Sequence, residues 1–173
     1  MNRLLLLAVF IAIYAFMIVE ARRAAANEAR QRQRGGVEPT GDVYAWMQIA
    51  YPGVFAAMLI EGAMRGPSSL QTATIGSAIF AAGKALKWWA ILTLGPDWTF
   101  RVLVVPGSTP IAAGPYAYLR HPNYVGVIGE LLGVAIVTGA RISGPLAILL
   151  FGALLLRRIS VEDRARDAIL PRT

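Results

Sequence analysis

The chain has 173 residues, of which 56% are hydrophobic and only 16% are charged, which is far more apolar than an average soluble domain. Its net charge is +7, but the basic residues lie between and after apolar runs, so the charge indicates membrane topology rather than nucleic-acid binding. The chain has no cysteine, which excludes disulfides, thiolate metal sites and a cysteine nucleophile. No metal is expected to take part in its function.

Five apolar segments follow one another along the chain, and each is predicted to be an α-helix because lipid offers no hydrogen-bond partners to an open backbone. They cover residues 4–19, 44–60, 70–94, 124–140 and 142–156. The last two segments are separated only by Arg141. Gly144 and Pro145, which follow it, are typical turn residues, so the sequence predicts a tight helical hairpin. The predicted fold class is therefore an all-α integral membrane protein with about five transmembrane helices.

The first apolar run has a second interpretation as a signal peptide, since Arg3 precedes it and small residues follow it. Arg22 and Arg23, directly after the run, are more typical of the cytoplasmic flank of a membrane helix. The linker rich in Ala, Arg and Gln over residues 22–34 is predicted to be a surface helix.

Arginines are concentrated in the linker after the first run and in the tail after the fifth. Because Lys and Arg accumulate in cytoplasmic loops, we predict a multi-pass protein with its N-terminus outside and its C-terminus in the cytoplasm, in the cytoplasmic membrane if the host is a bacterium. The Pro- and Gly-rich loop over residues 95–120 then lies on the cytoplasmic side, and long loops of this kind often carry function. Residues 1–69 are predicted to form an N-terminal helix pair with its basic linker, and residues 70–173 a core with the loop, the hairpin and a short tail.

The most informative stretch leads from this loop into the fourth helix, and residues 114–126 read GPYAYLRHPNYVG. Pro122 suits the first turn of a helix, where its missing N–H costs no hydrogen bond. The stretch resembles the signature of the isoprenylcysteine carboxyl methyltransferase family, in which a Gly-Pro-Tyr or Gly-Val-Tyr turn leads to Arg-His-Pro-x-Tyr-x-Gly. Residues 98–102 (WTFRV) are similar to bacterial members, and residues 158–163 (RISVED) resemble the family's Arg-x-x-x-Glu element after the last membrane helix. The resemblance covers residues 83–163.

The resemblance implies an S-adenosylmethionine-dependent O-methyltransferase that acts on a carboxylate or hydroxyl of a lipophilic or prenylated acceptor. Methyl transfer is an in-line displacement, so positioning supplies much of its rate. The resemblance also implies a cofactor site between the loop and the residues after the last helix. The implied cofactor contacts are Ser108, Thr109, Pro110, Ile111, Tyr116, His121, Pro122, Asn123, Tyr124 and Glu162.

Two further residues are candidates for the chemistry itself. Arg158 matches the family's arginine near the acceptor carboxylate, and a guanidinium fork suits that geometry. Glu130 is a charge inside an apolar segment, which marks a functional candidate, and a hydroxyl acceptor needs a general base whereas a carboxylate does not. Alternatively, Glu130 pairs with Lys84 or Lys87, which share one face of the third helix and could also reach the headgroups.

Structural interpretations stand beside these functional ones. A histidine before a proline commonly caps a helix, Arg158 fits the cytoplasmic flank of a membrane helix, and Glu162 could be a solvated residue of a charged tail. Tyr118 and Trp98 are predicted to belong to an interfacial aromatic belt. The first two helices are expected to serve as lipid-facing scaffold and acceptor channel.

Two departures from the family pattern limit the resemblance. Asp163 stands where family members often have a second Glu, and the tail after it is short, which predicts either a more open cofactor site or a lid from elsewhere in the chain. In a bacterial host, a quinone-like, alkylphenolic or polyketide lipid is a better expected acceptor than a prenylcysteine, and a phospholipid is a further alternative. Two other functions remain open from the sequence: an NADPH-dependent membrane reductase of related fold, and a non-enzymatic membrane scaffold.

Overall fold

The computed structural model describes residues 3–66 and 68–169, and these form five α-helices joined by short connections and one long loop. The helices are α1 (Arg3–Gln33), α2 (Tyr44–Arg65), α3 (Leu70–Leu94), α4 (Pro122–Thr138) and α5 (Ser143–Ile169). Two 3-10 turns, Gly95–Asp97 and Gly114–Ala117, lie in the loop. Over the described residues the only extended pairing is an isolated antiparallel bridge between Val37 and Val104, so the predicted all-α class is confirmed.

By length and composition, three helical segments are able to cross a membrane: Tyr44–Arg65, Leu70–Asp97 and Ser143–Ala168. The fourth helix is apolar but shorter, with 17 residues. These helices confirm the expected membrane class. The outside position of the N-terminus and the cytoplasmic position of the C-terminus stay predictions.

The first helix is longer than the sequence predicted. We expected a membrane segment over residues 4–19 and a separate surface helix over residues 22–34, but α1 continues without a break to Gln33. The linker contains mainly Ala, Arg, Glu and Gln, which are good helix formers, and Gly35 comes only after the helix has ended. At 1.5 Å per residue α1 is about 46 Å long, so its C-terminal half extends beyond a hydrocarbon layer of about 30 Å.

Helices α3 and α4 pack with their backbones in contact because glycines face each other across the interface. A Cβ atom built on Gly83 would lie 2.8 Å from the backbone nitrogen of Glu130, and one built on Gly133 would lie 2.5 Å from the backbone nitrogen of Phe80. Gly76 and Gly126 approach the opposite helix as closely. Lipid provides no hydrophobic force that drives helices together, so membrane helices associate through close packing. Small residues permit this packing because they let the backbones approach each other.

The hairpin between α4 and α5 is tight, as predicted. Gly139 adopts a left-handed conformation (φ 66°) that ends α4, and Glu61 of α2 accepts hydrogen bonds from the backbone nitrogen and the hydroxyl of Ser143, both at 2.7 Å. Helix α5 continues to Ile169, well beyond the predicted end at residue 156. The antiparallel hairpin therefore places the second half of α5 beside the first turn of α4.

The main hydrophobic core draws on both predicted halves of the chain. Ile13 of α1 and Phe55 and Met58 of α2 pack in one buried cluster with Leu131 of α4 and Phe151 of α5. The division at residue 69 remains a prediction about chain organisation, and the N-terminal helices contribute to the same core as the hairpin.

Candidate active site

The long loop between α3 and α4 is held against the C-terminal half of α1. The side-chain amide of Asn27 donates hydrogen bonds to the carbonyls of Gly95 and Trp98, both at 2.8 Å, and Gln31 donates to the carbonyl of Pro96 at 3.1 Å. Both amide side chains are buried, and a buried amide without partners would be costly. The expected interfacial position of Trp98 is wrong, because its side chain is 3% exposed, whereas Tyr118 is 84% exposed.

The entrance to α4 orders the histidine of the signature. Pro122 is the first residue of the helix, as predicted. His121 precedes it, and its imidazole stacks on the ring of Tyr124 with centroids 5.3 Å apart and planes 14° apart. His121 makes no side-chain capping hydrogen bond to α4, so its ring is directed by stacking rather than by helix capping.

The entrance to α4 and the second half of α5 are connected through Tyr124. The Tyr124 hydroxyl donates to Oε2 of Glu162 at 2.9 Å and accepts from Nε of Arg158 at 2.9 Å. Nδ1 of His121 lies 4.0 Å from the same Glu162 oxygen. Arg158 and Glu162 are four residues apart on one helix, so both face α4. Together with His121 and Tyr124 they form one group, although more than 30 positions separate the two motifs.

Arg158 has a second partner that the sequence did not suggest. Its Nη1 lies 3.2 Å from Oδ1 of Asp42, in the connection before α2. Asp42 also accepts hydrogen bonds from the backbone nitrogens of Val102, at 2.9 Å, and Tyr44, at 3.1 Å. Asp42 thus joins α2, the long loop and α5 at the side of the site.

A cavity of about 650 Å³ lies between these elements, within the range of small-molecule sites. The predicted site residues that line it are Ser108, Thr109, Pro110, Ile111, Tyr116, His121, Asn123, Tyr124, Arg158 and Glu162. Two predicted residues do not line it. Pro122 is buried in the first turn of α4, and Glu130 lies behind Tyr51, which does line the cavity.

The end of the cavity at the entrance to α4 is polar and contains unsatisfied groups. Nε2 of His121 and Oδ1 of Asn123 are buried and have no hydrogen-bond partner among the described residues. Burial raises the pKa of the Tyr116 phenol, and the nearby Glu162 carboxylate raises it further, so this hydroxyl stays protonated and available as a donor. Buried polar atoms normally have partners, so this end suits a polar ligand.

The other end of the cavity reaches a charged group inside the helix bundle. We call Glu20, Lys84, Lys87 and Glu130 the ionic cluster; each is at most 8% exposed. Lys84 Nζ lies 2.9 Å from Glu130 and 3.1 Å from Glu20, and Lys87 Nζ lies 2.6 Å from Glu20 and 3.6 Å from Glu130. The pairing of Glu130 with the lysines, which the sequence left as an alternative, is present in the structure. Its catalytic role stays a prediction.

Sequence reasoning missed several residues that line or support the site, and five of them lie in the N-terminal part of the chain. They are Glu20, Asn27, Gln31, Asp42 and Tyr51. Glu20 had a usable signal, because it is a charge at the end of an apolar run and such charges are costly in lipid. The other four residues gave no such signal in the sequence, because their partners are distant along the chain. The N-terminal helices therefore do more than provide scaffold.

Comparisons with known proteins show what the chain is similar to. A family model described as the isoprenylcysteine carboxyl methyltransferase (ICMT) family matches residues 75–167. The uncharacterized protein YpbQ of Bacillus subtilis (strain 168) is 29% identical over 163 residues, which cover 93% of this chain and 94% of the relative. An uncharacterized protein of Haemophilus influenzae is 27% identical over 128 residues, which cover 73% of this chain and 74% of that protein. No solved structure matches the chain significantly.

The matched range includes most of α3, the long loop, α4 and nearly all of α5. It thus covers more than half of the chain and contains the signature at the entrance to α4 together with Arg158 and Glu162. The chain belongs to the isoprenylcysteine carboxyl methyltransferase family, a family of membrane methyltransferases.

Proposed function

We propose that the protein is an S-adenosylmethionine-dependent membrane O-methyltransferase that methylates a carboxylate or hydroxyl of a lipophilic acceptor. One observation carries the proposal: the signature residues His121 and Tyr124 and the acidic residue Glu162 meet at one cavity. The cavity has a polar end at the entrance to α4, and its other end, within the helix bundle, has mainly apolar walls beside the buried ionic cluster. A single space of this kind suits a water-soluble methyl donor and a lipid acceptor at the same time.

The polar end has the groups needed to hold the cofactor. The unpartnered Nε2 of His121 and Oδ1 of Asn123 would exchange hydrogen bonds with the polar groups of the nucleoside, and the Glu162 carboxylate would accept from its hydroxyl or amino groups. When bound, S-adenosylmethionine supplies an electrophilic methyl group on its sulfonium. The residues of this chain bind and orient the two reactants and exclude water, which are the main contributions to a displacement of this type.

The apolar end has the groups needed to hold a lipid tail. Met17 of α1, Met47 of α2, Val127 of α4 and Phe151 and Leu155 of α5 line it. These residues belong to one hydrophobic cluster formed by four helices, of which α2 and α5 are able to cross a membrane. An acceptor with a long apolar chain would therefore enter from the bilayer and would exchange contacts with lipid for contacts with these side chains.

The first experiment is a thermal-shift titration of the purified protein with S-adenosylhomocysteine and, separately, with NADPH. Stabilisation by S-adenosylhomocysteine is expected, because a ligand that binds only the folded state raises its stability. Stabilisation by NADPH alone would favour a reductase of related fold, and stabilisation by neither would favour a scaffold. Incubation with labelled S-adenosylmethionine and host lipid then identifies the product: a base-labile ester indicates a carboxylate acceptor and a stable ether indicates a hydroxyl.

Substitution of the polar end provides a residue-level prediction. His121→Ala and Glu162→Gln should each weaken S-adenosylhomocysteine binding about tenfold or more, because each removes a hydrogen bond to a charged or buried group. Binding is measured by calorimetric titration in detergent. Arg164→Gln is the matched control, since Arg164 is exposed on the same helix and does not line the cavity. Unchanged binding in both site variants would contradict the proposed cofactor site.

A further inference from the structure

The cations that line the cavity differ in how well water can screen their charge. Five cationic side chains among the described residues line it, and they are Lys87, Arg101, Arg120, Arg158 and Arg166. The side chains of Arg101, Arg120 and Arg166 are 37%, 81% and 46% exposed, so solvent and salt weaken their effect. Lys87 and Arg158 are buried, and a buried charge is screened much less.

Arg158 is the buried cation that belongs to the polar end of the cavity. Its Nε donates to the hydroxyl of Tyr124 at 2.9 Å, and that hydroxyl donates to Glu162 at 2.9 Å. Lys87 belongs instead to the ionic cluster at the other end, which contains two lysines and two glutamates and is balanced by itself. The charge of Arg158 is therefore the one that a cofactor at the polar end would experience most directly.

The carboxylate that balances Arg158 comes from outside the part of the chain that the family model matches, residues 75–167. Oδ1 of Asp42 lies 3.2 Å from Nη1 of Arg158, and the Asp42 side chain is only 5% exposed. Two backbone N–H groups donate to its oxygens and hold the carboxylate in place. Glu162 is separated from the guanidinium by the Tyr124 hydroxyl, so Asp42 is the direct counter-charge.

The proposed cofactor makes this balance important, because its reactive centre is a cation. S-Adenosylmethionine and S-adenosylhomocysteine have the same nucleoside and amino-acid groups. They differ by one methyl group and by the positive charge of the sulfonium. A guanidinium without its carboxylate would repel the sulfonium, whereas the neutral thioether carries no charge at that atom to be repelled.

We propose that Asp42 is a positioning residue that holds the Arg158 guanidinium and cancels its charge, so that the cavity accepts a sulfonium cation. This inference rests on the proposed function and adds to it a residue that the family signature does not contain. Asp42 is not one of the described residues that line the cavity, so it acts through Arg158. Loss of its charge should therefore weaken binding of S-adenosylmethionine more than binding of S-adenosylhomocysteine.

The test measures the dissociation constants of both nucleotides by calorimetric titration in detergent, without an acceptor, so that no methyl group is transferred. The charge ratio is defined as the Kd of S-adenosylmethionine divided by the Kd of S-adenosylhomocysteine. Asp42→Asn keeps the size of the side chain and one acceptor oxygen, but it leaves the pair with one net positive charge. We expect the charge ratio to rise about tenfold, since charges at a buried site interact through an effective dielectric constant well below that of water.

The charge ratio is a readout that a merely structural role would not move. A variant that only loosens the site would bind both nucleotides more weakly by the same factor, because the two ligands share all their other groups. An unchanged charge ratio in Asp42→Asn would therefore overturn the inference, even if both dissociation constants increased.

Two further variants complete a cycle of net charge. Arg158→Gln leaves the pair with one negative charge and should lower the charge ratio below that of the wild type. The double variant Asp42→Asn with Arg158→Gln is neutral again and should restore the wild-type ratio, although both nucleotides bind more weakly. If Asp42→Asn does not fold, Arg158→Gln and the double variant still make the same comparison, with the higher ratio expected in the double variant; equal ratios would contradict the inference.

Glu28→Gln is the matched control, because it removes one negative charge from a solvated pair. Glu28 contacts Arg32 and Arg101, whose side chains are well exposed, and Arg101 keeps Glu38 as a second partner. Screening by solvent should leave the charge ratio of this variant within about twofold of the wild type. A shift as large as that of Asp42→Asn would show that overall charge, and not the buried pair, sets the ratio.

The wild-type protein separates the two levels of the proposal. If it binds neither nucleotide, the proposed function is wrong and the inference is wrong with it. If it binds both nucleotides and the charge ratio does not follow the net charge of the pair, the inference alone is wrong. A ratio that rises in Asp42→Asn, falls in Arg158→Gln and returns in the double variant supports the inference.

Discussion

Replacing Asp42 by alanine is expected to lower the free energy of unfolding by about 3–5 kcal/mol, the usual cost of leaving a buried charge without its partner. The side chains of Arg158 and Asp42 are only 7% and 5% exposed, so the guanidinium would keep its charge in a place that water scarcely reaches. The substitution also removes the acceptor for the backbone nitrogens of Val102 and Tyr44. The loop, α2 and α5 would lose their common contact.

The measurement is chemical unfolding in mild detergent, with Asp97→Ala as the matched control. Asp97 pairs with Arg34 at 2.9 Å, but both side chains are well exposed, so its loss should cost no more than about 1 kcal/mol. The double variant Asp42→Ala with Arg158→Met should recover part of the loss, because it removes the orphaned charge. Equal stability of the Asp42 and Asp97 variants would show that the buried pair does not contribute as expected.

Replacing Gly133 by valine is expected to be the most disruptive change in the helix packing. A single Cβ atom at this position would lie 2.5 Å from the backbone nitrogen and 2.7 Å from the Cα atom of Phe80. Backbone atoms cannot move aside as a flexible side chain can, so α3 and α4 would have to separate. Overpacking commonly costs about 1–3 kcal/mol, and the valine methyl groups add to the cost here.

The thermal midpoint in detergent measures the effect, and Gly152→Ala provides the control. Gly152 is also helical, but a Cβ atom there meets nothing within 4 Å, so the midpoint should stay the same or rise through better helix propensity. A Gly133→Val protein as stable as the wild type would mean that the two helices pack more loosely than the structure has them.

The two predictions concern the supports of the cavity rather than its ligands. Asp42 fixes the side of the site that includes Arg158 and the loop. The glycine contacts between α3 and α4 fix the position of Lys84 and Lys87 relative to Glu130. Both variants are therefore expected to weaken S-adenosylhomocysteine binding, because each disturbs a support of the cavity.

The sequence by itself determined the features whose physical cause is local. Long apolar runs must be helical in lipid, so the all-α class and most helix positions could be predicted. Pro122 fixed the start of α4, and the four-residue spacing of Arg158 and Glu162 placed them on one face of α5. The contiguous signature from Gly114 to Gly126 identified Tyr116, His121, Asn123 and Tyr124, which line the cavity.

Only the tertiary structure decided the features that depend on contacts between distant residues. Asp42 and Arg158 are 116 positions apart, and Glu20 and Lys87 are 67 apart, so no spacing rule connects them. For the same reason, Trp98 was predicted to lie at the membrane interface although its side chain is buried. The sequence also left open whether Glu130 faces the site or the lysines. A charge in an apolar run shows from sequence that a partner is needed, because isolation in lipid is costly; which partner it finds is fixed when the helices pack.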